Sequence, residues 1–335
     1  MRILAGLLAG LALILAAGAV ATAILTARIE RAFPPGGRFV EVAGGRLHYL
    51  ELGPETGRPL GTVVLLHGAS ANAADPMLAL GRRLAGRYRV LAFDRPGQGW
   101  SDRIGGAAAA APARQAALIA EGMRKLGVSG AVAVGHSFAG AVAPHIALDH
   151  ADVTGGIVIL SGVTHPWPGE AISWYYHPAT SLLGAIFTRT LTTPAGWLLV
   201  DATVRAVFAP EGPPAGYAED ARVALVLRPG AFRANADDVA GLHAAVTAQA
   251  PRYGAIRVPA TVIGGDADRI VWTDLHARSF ARAVPGARLV VLPGAGHMPH
   301  HTHAEAVAAE IDALAERVRG RAEAALPPAA QPVGP

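Results

Sequence analysis

Short apolar runs alternate with longer segments of helical spacing through most of this 335-residue chain. The runs at 62–66, 89–93, 131–134, 156–160, 260–263 and 288–292 are rich in Val, Ile, Leu and Ala, without the every-second-residue polar pattern of a half-exposed strand. Such continuous runs belong to strands covered on both faces. Segments 76–86, 113–126, 139–149, 272–283 and 303–318 fit the helices between them. The order implies an α/β fold: a mostly parallel central sheet flanked by helices. Runs 38–43 and 46–52 precede it, and Gly44-Gly45 between them suits an antiparallel turn. With 52% hydrophobic and only 16% charged residues, the chain can fill a core of that size. Ligands of such sheets bind outside the carboxyl ends of the strands, and here those ends carry polar, glycine-rich motifs.

Three stretches fall outside the alternation. Residues 164–257 leave the sheet after the fourth parallel run and return before the fifth. They hold Trp167, Trp174, Tyr175, Tyr176, Phe187, Trp197, Phe208 and Phe232, and read as a helical lid over the site, with core segments 38–163 and 258–320 on either side. About half of these aromatics are expected to form the lid's own core. Residues 321–335, rich in Ala and Pro, read as a disordered tail. At the other end, residues 3–27 carry no charge between Arg2 and Arg28. At about 1.5 Å per residue this run can cross a ~30 Å hydrocarbon core. Residues 1–27 therefore read as a single membrane anchor of undetermined orientation. The alternative is a secretion signal cut near Ala19 or Ala23, leaving a secreted or periplasmic protein; the length of the run favours the anchor.

Composition removes several classes of function. There is no cysteine, which excludes disulfides, thiolate catalysis and cysteine-bound metals. The 29 basic and 25 acidic residues leave a net charge of +4, Lys125 is the only lysine, and the arginines are scattered. That pattern gives no basic patch for nucleic acid.

The chemistry is concentrated in four motifs. Gly135-His136-Ser137-Phe138-Ala139-Gly140 follows a strand and is a near match to G-x-S-x-G, with Ala139 at the second glycine position and Gly140 one residue late. Small residues at 135 and 139 let a strand turn sharply into a helix and expose Ser137. His67-Gly68-Ala69-Ser70 follows an earlier strand. The backbone N–H groups of Ala69 and Phe138 are the candidate oxyanion donors, while the His67 imidazole reads as a turn element. Gly264-Gly265-Asp266-Ala267-Asp268 offers two carboxylates, of which one would orient a base and the other would be structural. Gly294-Ala295-Gly296-His297 presents a histidine on a tight loop. His300, His301 and His303 follow, but no helical His-Glu spacing accompanies them, so no metal is expected and they read as pocket-rim or helix-start residues.

The order Ser137, Asp268, His297 resembles that of the α/β-hydrolase superfamily over roughly residues 38–320. Asp94-Arg95-Pro96-Gly97-Gln98-Gly99-Trp100-Ser101 is similar to its D-x-P-G-x-G-x-S loop, and the Asp268 loop is similar to its acid loop. The resemblance implies a Ser137–His297–Asp268 triad, a helical cap and no cofactor. Serine at 137 argues against the branches whose nucleophile is aspartate. The expected reaction is hydrolysis of a carboxylic ester of a hydrophobic small molecule entering between lid and sheet. A C–C bond hydrolase or cofactor-free perhydrolase would use the same residues, and a non-catalytic membrane-tethered binding module is the reading from outside enzymology.

Overall fold

The computed structural model describes residues 1–169 and 176–324. Its centre is one eight-stranded sheet, β1 (Arg38–Val42), β2 (Gly45–Leu52), β3 (Thr62–Leu66), β4 (Arg89–Phe93), β5 (Ala131–His136), β6 (Thr154–Leu160), β7 (Ala260–Gly265) and β8 (Arg288–Leu292). Their spatial order is β1-β2-β4-β3-β5-β6-β7-β8. Only the β1–β2 and β2–β4 pairs are antiparallel. Strands β5 and β7 run further than expected, because Gly135 stays in register with Leu66 and Ile159, and Gly265 with Leu292. Those glycines read as loop because they carry no side chain to pack, yet the ladder needs only their backbone.

The principal helices are α1 (Arg2–Ala32), α2 (Pro112–Lys125), α3 (Val142–Asp149), α4 (Thr193–Phe208), α5 (Pro229–Gln249), α6 (Ala277–Ala283) and α7 (Ala304–Ala324). Two apolar layers sandwich the sheet. Phe93, Ile119, Met123, Ile146 and Phe280 lie in one, and Leu65, Leu80, Val158, Ile311 and Leu314 in the other. Helix α7 reaches Ala324, so the first four residues of the expected tail are helical, with Arg319 and Glu323 paired at i,i+4 on its last turns. Residues 325–335 lie outside the described residues.

The chain between β6 and β7 is largely helical among the described residues, with α4 and α5 as its long helices. Of the lid aromatics, Phe208 packs on Tyr217 at 4.7 Å between centroids, and Tyr176 on Phe232 at 5.7 Å. Trp197 is exposed, and Trp174 and Tyr175 lie outside the described residues. Helix α1 continues past residue 27 to Ala32 and is long and apolar enough to cross a membrane.

Candidate active site

Strand β5 ends at His136, and Ser137 occupies the turn that follows at φ +51°. A left-handed conformation is unfavourable for a residue with a Cβ and persists here because strand and helix on either side dictate it. A tight turn at 137–140 leads into α3, and Ala139 is fully buried. The glycine that arrives one residue late has its own reason: a Cβ at Gly140 would lie 2.5 Å from the Cα of Gly162, in the loop after β6. The departure from G-x-S-x-G thus moves the small-residue requirement by one position.

His297 Nε2 lies 2.9 Å from Ser137 Oγ, and its Nδ1 donates to Asp268 Oδ2 at 2.9 Å. The other oxygen, Asp268 Oδ1, accepts the backbone N–H groups of Ile270 and Val271, both at 2.9 Å. These bonds fix the carboxylate, which in turn fixes the tautomer that leaves Nε2 free to accept a proton. Asp268 and His297 are buried, whereas Asp266 is exposed and accepts the Gly294 N–H at 2.6 Å, bracing the loop ahead of His297.

The N–H groups of Ala69 and Phe138 belong to peptides whose carbonyls are held on the far side. The Gly68 carbonyl accepts Arg95 Nη2 at 3.0 Å and His67 Nδ1 at 2.8 Å. The Ser137 carbonyl accepts the Val163 N–H at 2.9 Å. In a planar trans peptide the C=O and the following N–H point in opposite directions. Holding both carbonyls therefore aims both N–H groups away from these anchors.

Arg95 is a feature that sequence reasoning passed over. It is fully buried, donates to the His67 and Gly68 carbonyls, to Gln115 and to Asp238 Oδ2, and stacks 4.2 Å above the Phe138 ring. One side chain thus touches both loops that carry the candidate oxyanion donors. Its acidic partner sits on lid helix α5. A signal for it exists in the sequence: Asp238 lies on the stripe Ala231, Ala234, Asn235, Leu242, Val246, whose other members are small, apolar or amide. His67 behaves as the turn element expected: burial and the neighbouring Arg95 charge lower its pKa to about 4, and neutral Nε2 accepts the Arg95 N–H.

The expectation for the trailing histidines needs correcting in one respect. Of the two readings, helix start holds and pocket rim does not: His300 is the second residue of the short helix Pro299–Thr302 and is fully buried. His300 and His301 each donate Nε2–H to Asp75, at 3.2 and 2.9 Å, and Tyr217 of the lid adds a third bond at 2.7 Å. Burial pushes the Asp75 carboxyl up, but the charge and hydrogen bond of His300 outweigh that and hold it well below the usual range. Asp75, His300 and His301 are close enough to share a metal ion. The three side chains hydrogen-bond one another, and His300 Nδ1 has no partner among the described residues. His303 pairs with Glu211, at 3.4 Å.

The lid is fastened to the loops around Ser137 by further polar bonds. Asn235 accepts the Ser70 N–H at 2.7 Å and donates to Tyr176 at 2.8 Å. Asn72 donates to the Ala221 carbonyl at 2.9 Å, and Glu211 accepts the Gly296 N–H at 3.0 Å. An apolar patch lies beside them, where Met298, next to His297, packs with Val204, Phe208, Tyr217 and Ala221.

Comparison with known proteins places this chain in a family. A model of the alpha/beta hydrolase family matches residues 63–310. A 2-hydroxy-6-oxononadienedioate/2-hydroxy-6-oxononatrienedioate hydrolase of Cupriavidus pinatubonensis is 26% identical over 288 residues, covering 80% of this chain and 91% of the relative. The polyketide synthase ThaQ of Burkholderia thailandensis is 29% identical over 307 residues, covering 87% of this chain; the chain spans only 13% of that protein. Among solved structures, a membrane phospholipase A described as a bacterial virulence factor has a TM-score of 0.66 and 23% identity, covering 95% of this chain and 99% of that one.

Proposed function

The chain belongs to the alpha/beta hydrolase family, and from that premise we propose that it hydrolyses carboxylic esters of apolar substrates through an acyl-enzyme on Ser137. The observation that carries this reading is the unbroken relay from Ser137 Oγ through His297 to Asp268, with both bonds at 2.9 Å. His297 takes the proton of Ser137 as Oγ attacks the ester carbonyl. The resulting oxyanion faces the N–H groups of Ala69 and Phe138. Collapse expels the alcohol, which takes its proton from His297. Water, activated in turn by His297, then releases the acid and restores the serine. Asp268 stabilises the imidazolium in both halves.

An apolar substrate is the expectation from the aromatic-rich lid, and the loop after His297 is itself packed on apolar lid residues through Met298, Phe208, Val204 and Tyr217. Helix α1 serves as the membrane anchor in this reading. Its second half is packed on the lid, with Thr22 and Ile29 buried, so cutting near Ala19 or Ala23 would sever a packed helix. The C–C hydrolase named among the relatives supports a second reading with the same relay, in which the serine attacks a vinylogous diketone.

The test is turnover of p-nitrophenyl esters of rising acyl length by the detergent-solubilised full chain, beside Ser137→Ala. Rates that climb with added methylenes are expected, with a loss on the order of 10⁴-fold or more in kcat for the variant. Equal rates for both proteins would reject the mechanism. Exclusive turnover of a vinylogous diketone would select the second reading. A folded chain whose Ser137 is never labelled by a fluorophosphonate would identify a binding module.

A further inference from the structure

The lid stretch from Leu182 to Val200 has one charge, Arg189. It leaves Leu182, Leu183, Ile186, Trp197, Leu198 and Leu199 exposed. Leu182 is fully exposed and Leu198 is 83% exposed, an arrangement with no benefit in water. The hydroxyls in this stretch are spent internally. Thr188 donates to the Gly184 carbonyl at 2.8 Å, Thr190 to Ile186 at 2.7 Å and Thr192 to Thr188 at 2.9 Å. Threonine hydroxyls that bond back one turn remove polar groups from an apolar surrounding.

Helix α1 lies against this stretch. A Cβ at Gly18 would sit 2.5 Å from the Thr190 carbonyl oxygen, so the two backbones touch there, as helices do through small residues inside bilayers. Thr22 is buried in the same seam, and its hydroxyl has no hydrogen-bond partner among the described residues. Further along, Ile29 is buried with Ala224, Leu225 and Leu227, and Glu30 pairs with Arg228 at 3.4 Å.

Depth along the helix is what decides the matter. Gly18 precedes Arg28 by ten residues, or about 15 Å of helix. With Arg28 at the headgroups and the helix along the membrane normal, Gly18 lies near the middle of a ~30 Å hydrocarbon core. Residues 3–17 alone would give a span of only about 22 Å, too short to cross and leave the lid in water.

We propose that the outer face of the lid, residues 182–199, is embedded in the acyl-chain region of the bilayer alongside α1. This rests on the anchor reading of α1 given above. The lid is then a second membrane-embedded element, held there by its own leucines as well as by the anchor.

The absence of cysteine permits a direct test. Single variants Leu11→Cys, Leu182→Cys, Leu198→Cys and Glu55→Cys of the full chain carry nitroxide labels in vesicles of phosphatidylethanolamine and phosphatidylglycerol. Collision with oxygen, which concentrates in lipid, is compared with collision with a water-soluble nickel chelate. The expected oxygen-to-nickel ratio at 182 and 198 matches that at 11 and is several-fold above that at 55, on the exposed loop after β2. A lipid-like ratio at 11 with a water-like ratio at 182 and 198 would overturn the proposal and leave the anchor standing. A water-like ratio at 11 would overturn both. Dipolar broadening between labels at 198 that disappears on dilution with unlabelled protein would show a second copy covering the face instead of lipid, which also overturns it.

Discussion

Around the sheet, charge faces outward: Arg83 pairs with Glu305, Arg288 with Glu310 and Arg124 with Asp152, each at least partly in solvent. The lid reverses this. Its inner side carries Asp238, Asn235, Glu211 and Tyr217, all hydrogen-bonded to loops of the sheet domain, and its outer side carries leucines and a tryptophan. A surface that only avoids water buries leucine inward. The lid also buries leucine, at Leu225, Leu227 and Leu242, but it adds polar groups on the inner side and leaves further leucines exposed. The contrast teaches that polar residues can do the docking when the loops beneath have orientations to be fixed, since a hydrogen bond specifies direction where an apolar contact does not.

The largest expected effect lies on the sheet side of the boundary. Asp268→Asn is expected to lower kcat on the order of 10⁴-fold, because the amide presents the wrong partner to His297 Nδ1. Asp266→Asn, bonded only to the Gly294 N–H among the hydrogen bonds described, stays near the parent. Steady-state kinetics on one p-nitrophenyl ester decide, and the reverse ranking would reassign the acid.

The next effect crosses the boundary. Arg95→Met leaves Asp238 buried with Arg103 alone and is expected to cost about 3 kcal/mol of stability. It also removes one of the two groups that hold the Gly68 carbonyl, His67 Nδ1 remaining, and kcat is expected to fall by up to roughly 10²-fold with KM little changed, the loss of a whole oxyanion donor being the upper bound. Arg95→Met combined with Asp238→Leu separates the two roles. Denaturation should show stability largely regained, while kcat stays low. If kcat returned with stability, Arg95 would be structural only.

The smallest effect is on pH dependence. Burial lowers the His67 value from 6.5 to about 4. Between those values the unfolded chain binds a proton that the folded chain does not, so stability falls as pH drops through that window, by about 2 kcal/mol between pH 7.5 and 5.0. Asp75 adds nothing there: its carboxyl is depressed, so its stabilisation is present above its unfolded value and lost only in stronger acid. Urea midpoints in detergent at pH 7.5 and 5.0 should show the decline, and His67→Gln should reduce it without abolishing it, because burial also lowers His276, His136 and His300. An unchanged slope would mean that other groups carry it.

Strand positions and the Ser137, Asp268 and His297 loops were legible because each rests on local chemistry: β-branched runs, a glycine before the serine, a glycine-flanked histidine. The Arg95–Asp238 pair was not, because its partners are 143 residues apart and an arginine in a D-x-P-G loop reads as solvent-facing. His300 was only half legible: its place at a helix start was, its burial was not. Its surroundings are set by Asp75, more than two hundred positions earlier. The lid's outer leucines were visible as residues, but only the placement of α1 against Thr190 shows which way they face.

Strands β6 and β7 pair in parallel, Leu160 beside Ile263, although about ninety residues of lid separate them in the chain. Closing a loop of that length instead of ten residues costs only about 2 kcal/mol of chain entropy. The sheet is therefore nearly indifferent to what is spliced in at this point. In evolutionary terms the lid is an exchangeable cassette: a descendant could swap it, and with it the choice of substrate and of surrounding solvent, while inheriting the serine, histidine and aspartate unchanged.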